Sequence, residues 1–229
     1  MTKKSAIDNK NAKALVIDLF DRIHSSKTIE DLNLIPKELD YGDLLVENMP
    51  SEKIYPRLRL RITKEEVDTL MQMGVLTDEM QLSPDLANGV YANGKTLSTL
   101  EKILYSMLWK NRDLGKERHV ISGILDIGHC QKHGTVFYEF GGYISGKNSY
   151  ILDQHTLRCF AVHSSPDENI VTARRLKVIN GTNKKHIVWI SLYKEFYNRI
   201  KPDILCDRSD FFYKVDSLLF GVGKLIKLE

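Results

Sequence analysis

Two four-residue signatures, Thr63-Lys-Glu-Glu66 and Ser98-Thr-Leu-Glu101, commit this chain to helices before anything else about it is known. In each, the hydroxyl can accept from the backbone N–H three residues on, while the glutamate reaches back to the first amide. Two donors left bare at a helix start are thereby satisfied together. Apolar residues follow at three- and four-residue intervals: Val67, Leu70 and Met71 after the first, Ile103, Leu104, Met107 and Leu108 after the second. The same spacing recurs in Leu15, Val16, Leu19, Phe20 and Ile23 near the start. It returns in Phe211, Phe212, Val215, Leu218, Leu219 and Val222, where Ser209 or Asp210 is the expected cap. The fold class expected from this pattern is mainly α.

Other stretches are less regular. Residues 25–56, punctuated by Pro36, Gly42, Pro50 and Pro56, read as loop with short helical pieces. Arg57-Leu-Arg-Leu-Arg-Ile62 alternates with period two, which predicts a short β segment or an extended basic one. Further helices are expected at 116–125, 134–145 and 153–163, with a tight turn at 126–133. Asn180-Gly181 is a hairpin signal, yet Trp189, Leu192, Tyr193, Phe196 and Ile200 are spaced for a helix, which is favoured from about residue 184. The polar interval 77–97, with Asn88-Gly89 and Asn93-Gly94, suggests a division into 1–95, helical and irregular, and 96–229, packed as one unit with a cleft between.

The 229 residues carry a net charge of +3, which permits a local nucleic-acid-binding patch without demanding one. The densest basic run is Arg174, Arg175, Lys177, Lys184 and Lys185, joined in the expectation by Arg57, Arg59 and Arg61. Such a run either tracks a phosphate backbone or is a solvated face. Three widely spaced cysteines read as reduced thiols, no apolar run reaches the roughly 18 residues of a membrane span, and the N-terminus lacks the apolar core of a signal peptide. The cytoplasm, in association with the nucleoid, is the expected location, and a monomer the expected state. His129, Cys130 and His133, and again His155, Cys159 and His163, cluster without zinc-finger spacing, so neither metal nor cofactor is expected. No phosphate-binding loop or nucleotide fingerprint is present.

One constellation bears on chemistry. Lys132 closes the turn Gly128-His-Cys-Gln-Lys132, and Asp153 lies 21 residues later in Ile151-Leu-Asp-Gln-His155-Thr-Leu-Arg158. With one short helix between them, amine and carboxylate would converge on one pocket, equipment for covalent attack on a sugar carbon. Taken singly, a lysine in a turn is usually solvated and an aspartate before a helix is usually its cap. Trp109, ending an apolar helix, could stack on a base or belong to the core.

The run Gly128 to Arg158 resembles the core of the helix-hairpin-helix DNA glycosylases, most nearly the compact microbial branch of 8-oxoguanine DNA glycosylases with abasic-site lyase activity. In that branch a Gly-x-Gly-x-Lys hairpin is followed by Ile-Leu-Asp-x-His-x-Leu-Arg. The C-terminal Val215-Asp216 to Gly223-Lys224 and Lys227 is similar to its last helix. The resemblance covers residues 116–160 and 191–229. Cys130 stands where the second hairpin glycine is expected, and the lysine-to-aspartate spacing is about three residues longer, through extra residues near Gly146–Ser149. The resemblance implies a helix-hairpin-helix bundle acting on double-stranded DNA that holds a damaged base or an abasic site. It makes Lys132 the nucleophile and Asp153 its carboxylate partner. Gly128, His129, Gln131, His155, Arg158, Arg174, Arg175 and Lys184 are the expected DNA contacts. The alternative is a non-catalytic helix-hairpin-helix DNA-binding module.

Overall fold

The computed structural model describes residues 7–51, 53, 57–128, 134–148 and 150–228. The chain is mainly helical, with 63% of residues in helices and no strand among the described residues. The α-helices are α1 (Asn9–Ser25), α2 (Ile29–Glu38), α3 (Gly42–Asn48), α4 (Lys64–Gln72), α5 (Thr99–Asn111), α6 (Glu117–Leu125), α7 (Thr135–Ile144), α8 (Gln154–Ser164), α9 (Ile170–Arg174), α10 (Lys184–Arg199) and α11 (Arg208–Leu225). None of the described helices is long and apolar enough to cross a membrane.

Both capping boxes form as expected, with Thr63 and Ser98 as N-caps and Glu66 and Glu101 reaching back. The helix from 184 also forms, capped by Asn183, and Asn180-Gly181 is only the turn before it. Two expectations are corrected. The last helix is capped by Asp207, whose carboxylate accepts from Asp210 N at 2.8 Å, while the Ser209 hydroxyl is taken by Arg57. The segment 57–62 is not a strand. Of the two readings, strand or extended basic segment, the strand is ruled out: residues 57–62 have no ladder, and the β contacts among the described residues are two isolated bridges elsewhere, Leu76 with Leu82 and Val90 with Thr96.

The chain divides into two compact units, one made of residues 1–58 and 149–229, the other of 59–148. In the first, α8 is the axial helix: Leu157, Cys159, Ala161 and Val162 are wholly buried and Phe160 nearly so. Phe20 of α1, Phe160, and Tyr193, Phe196 and Tyr197 of α10 form an aromatic cluster with ring centroids 4.8–5.7 Å apart. Each such side chain withdrawn from water contributes about 1.5–3 kcal/mol. A Cβ on Gly223 would lie 1.9 Å from the His155 carbonyl oxygen, so the α11 backbone runs directly against the first turn of α8.

Glycine also sets the packing of the second unit. A Cβ at Gly123 of α6 would fall 2.0 Å from the Tyr138 carbonyl oxygen, and one at Gly141 of α7 would fall 2.1 Å from that of Val120. The two helices therefore approach backbone to backbone, which larger residues would forbid. After α6 the chain passes Asp126 at φ 62° and Gly128 at φ 79°, and α7 is entered through Gly134 at φ 97°.

Candidate functional site

Among the expected site residues, Asp153 is the best defined. It is the N-cap of α8: its Oδ1 accepts from His155 N at 2.5 Å, and its own N–H donates to Thr156 Oγ1 at 3.1 Å. A carboxylate there faces the positive end of the helix dipole and is fixed in direction. Lys132, with His129, Cys130, Gln131 and His133, lies outside the described residues, and Gly128 is the last described residue before them.

The segment leading into Asp153 is braced by groups the sequence reading did not single out. Tyr193 of α10 donates from its hydroxyl to Ile151 O at 2.9 Å, and Ile151 N donates to Asp216 Oδ2 of α11 at 3.4 Å. Tyr197 donates to the other oxygen of Asp216. Both backbone polar atoms of Ile151, two residues before Asp153, are thus held by two helices. Burial pushes the Asp216 carboxyl up to about 7; the Tyr197 hydroxyl and the Ile151 amide pull it down, and the charge of Asp153 raises it further. Burial likewise drives the Tyr197 phenol well above its ordinary value. A sequence signal for Asp216 existed: an acid on the apolar face of α11, four residues after Phe212 and three before Leu219.

His155 is half-buried, with its ring edge-to-face on Phe220 at 4.8 Å and its Nδ1 2.8 Å from Arg158 Nη1. Burial lowers its pKa; Asp153 opposes this, and Arg158, Lys227 and Lys224 add to it. Because an arginine can only donate, Nδ1 is the acceptor, and the remaining proton of the neutral ring sits on Nε2. Lys224 and Lys227 are exposed near this end of α8 and bring positive charge to the rim around Asp153.

Two of the expected DNA contacts take a different place. Arg158 is fully buried; its guanidinium donates to Gly223 O at 2.5 Å and to Leu176 O, and so ties α8 to α11. Arg174 is 1% exposed and donates to Ile226 O at 2.7 Å, Asn9 Oδ1 at 2.6 Å and Ile7 O at 2.6 Å. A buried guanidinium keeps its charge only where carbonyl oxygens replace water, so both arginines are internal struts with no face left for a phosphate. Arg175, Lys177, Lys184 and Lys185 are exposed, as a phosphate contact requires. Arg57 is spent on an ion pair with Asp210, and Arg61 lies over the Tyr143 ring at 5.3 Å. Trp109 is 65% exposed on α5.

Of the helical-face trio His155, Cys159 and His163, Cys159 is sealed in the core and donates to Leu219 O at 3.2 Å; burial pushes its thiol up to about 12. Among the described residues no three His, Cys, Asp or Glu side chains are placed to share a metal ion. Comparison of the chain with protein-family models, with curated proteins and with solved structures gives no match.

Proposed function

We propose that this chain is a DNA glycosylase with abasic-site lyase activity, built as a helix-hairpin-helix bundle, which removes a damaged base, such as an oxidised purine, from double-stranded DNA. The observation that carries the reading is the glycine-mediated approach of α6 and α7, the two helices between which Lys132 falls in the sequence. Two short helices, with left-handed Gly128 after the first and left-handed Gly134 at the start of the second, make a unit that can offer backbone N–H groups to a phosphate without reading sequence. The braced and capped carboxylate of Asp153 supplies the second requirement, an anion held still by its surroundings.

The chemistry follows from these parts. The damaged nucleotide is turned out of the duplex at a cost of a few kcal/mol. The neutral Lys132 amine attacks C1′ of the sugar, the C1′–N bond breaks, and its electron pair leaves with the base, which takes up a proton. Asp153 stabilises the positive charge that develops on the sugar. The amine gives up a proton, the C1′–O4′ bond opens with its electron pair and a proton going to O4′, and the Schiff base so formed lets a C2′ proton depart while the 3′ phosphate is expelled by β-elimination. Exposed Arg175, Lys184 and Lys185 hold the phosphate backbone.

Borohydride reduction on a duplex with one abasic site tests this directly. The expected result is a covalent protein–DNA adduct that Lys132→Gln abolishes. Asp153→Asn, which keeps a capping oxygen, is expected to slow base release about 10²-fold. Salt-sensitive binding without any adduct would replace the enzyme by a non-catalytic DNA-binding module, for which the exposed basic residues alone suffice. A panel of duplexes each bearing one modified base identifies the lesion.

A further inference from the structure

Three consecutive residues bring the chain to Asp153, and the first two are held by side chains of helices much later in the sequence. The Tyr150 ring stands edge-on to that of Tyr193 at 4.9 Å and lies 5.1 Å from that of Tyr197, both on α10. Ile151 O accepts from the Tyr193 hydroxyl at 2.9 Å, and Ile151 N donates to Asp216 Oδ2 of α11 at 3.4 Å. Leu152, the third, is wholly buried. Elsewhere the approach to a helix is held by backbone groups: Ile62 N donates to Ile144 O at 3.0 Å ahead of α4, and Asp203 N to Lys27 O at 3.0 Å ahead of α11. Asp216 is the centre of the arrangement. Its other oxygen accepts from Tyr197, whose ring packs on that of Tyr193 with centroids 5.0 Å apart. Satisfying one loop amide requires only water or a carbonyl oxygen, so side chains from two helices converging on a single residue ask for another reason.

We propose that Asp216 is a positioning residue of base excision, fixing Asp153 through Ile151, an assignment that rests on the glycosylase reading. The bond from His155 N sets the Asp153 carboxylate relative to α8. It does not set how the chain enters the helix. An N-cap residue is extended, here with φ −131° and ψ 156°, and the helix ladder leaves those angles free. Ile151 is two residues upstream, so a shift of its backbone moves the Asp153 Cα and swings the carboxylate. Asp216 and Tyr193 hold its two polar atoms from α11 and α10 and suppress that shift. A carboxylate that stabilises a developing positive charge must be placed to within about 0.5 Å, and a misplacement of about 1 Å can cost about 10²-fold in rate. Asp216 is assigned no contact with sugar or base; its effect passes through Asp153. The brace needs an acceptor for Ile151 N and a partner for the Tyr197 hydroxyl. Asparagine supplies both, its oxygen accepting and its amide donating, whereas alanine supplies neither.

Single-turnover base release by the full chain, in excess over a duplex bearing one 8-oxoguanine, tests the assignment. Asp216→Ala is expected to slow release about tenfold while the Kd for the duplex stays within about twofold. Asp216→Asn is expected to restore the rate to within about threefold of wild type. In an Asp153→Asn background, Asp216→Ala is expected to add less than about twofold, because nothing is left for it to position. A merely structural residue would slow both backgrounds alike. Should Asp216→Ala lose its helical spectrum, Tyr193→Phe, which removes only the hydroxyl on Ile151 O, takes its place against the same two backgrounds. Asp216→Ala at the wild-type rate, its full loss repeated on top of Asp153→Asn, or an asparagine variant as slow as alanine overturns the role of Asp216 and leaves the enzyme standing. A wild type that releases no base from this duplex or any other of the panel, and leaves no borohydride adduct, ends the enzymatic reading and this assignment with it.

Discussion

Arg174 and Arg175 are neighbours of one residue type with opposite fates, and nothing local in the sequence tells them apart. Arg174 donates to Ile7 O and Asn9 Oδ1 on one side and Ile226 O on the other, whereas Arg175 is exposed. Arg174→Ala leaves buried acceptors unpaired and is expected to cost at least about 3 kcal/mol in urea unfolding. Arg175→Ala is expected to stay within about 0.5 kcal/mol, and to reduce the salt dependence of DNA binding by about one ion. A basic run read along the chain mixes struts with contacts, because burial is decided by what folds back from residues 7 and 226. Asp216 gives a pH test. Its carboxyl is raised from an ordinary 3.8 to about 7 in the fold, so between those values the folded state holds a proton that the unfolded state has released. Stability from this group is therefore full at the acid end and falls as pH rises through the window. Asp216→Asn, whose single oxygen can accept from Ile151 N while its amide N–H donates to the Tyr197 hydroxyl, should gain in melting temperature relative to wild type, by a few degrees, between pH 4 and 8. Parallel melting curves across that range would show that the group titrates as an ordinary carboxylate.

At the scale of elements, what could be read early was what is decided within one helical turn. The caps at Thr63 and Ser98, the start of α10 and the position of Asp153 ahead of α8 depend on residues three or four apart, and all stand in the structure. The alternation at 57–62 left strand and extended basic segment open, because a strand is a property of two chain segments; no ladder forms there among the described residues. The brace on Ile151 was hidden for the same reason: Tyr193, Tyr197 and Asp216 meet it from two later helices. Backbone-to-backbone packing of α6 on α7 yields a sharp contrast. Gly141→Ala forces a Cβ against the Val120 carbonyl and is expected to cost about 1–3 kcal/mol of stability by denaturant unfolding. Gly115→Ala, with nothing within 4 Å of the added atom, should fall within about 0.5 kcal/mol of wild type. Equal costs at the two positions would mean that the helices have room to part.

At the scale of the whole molecule, the polar interval 77–97 suggested a boundary near residue 95, yet it lies inside the unit 59–148. Leu76, Leu86 and Leu97 are 5–6% exposed, so a few well-buried leucines anchor a stretch whose average composition reads as linker. The larger unit is discontinuous: α1, α2 and α3 belong with α8 to α11, and 90 residues of another unit intervene. This ordering has a consequence for the nascent chain. As the ribosome extends it, residues 59–148 emerge as one unbroken stretch whose internal contacts can close at once, while α1 to α3 must wait for α8, α10 and α11 to be translated. Their apolar faces, Leu15, Leu19, Ile23 and Leu45 among them, stay open to water or to a chaperone through most of synthesis. Closure of that core waits for α8 to α11, and the hydroxyl and carboxylate that steady Ile151 arrive only with them.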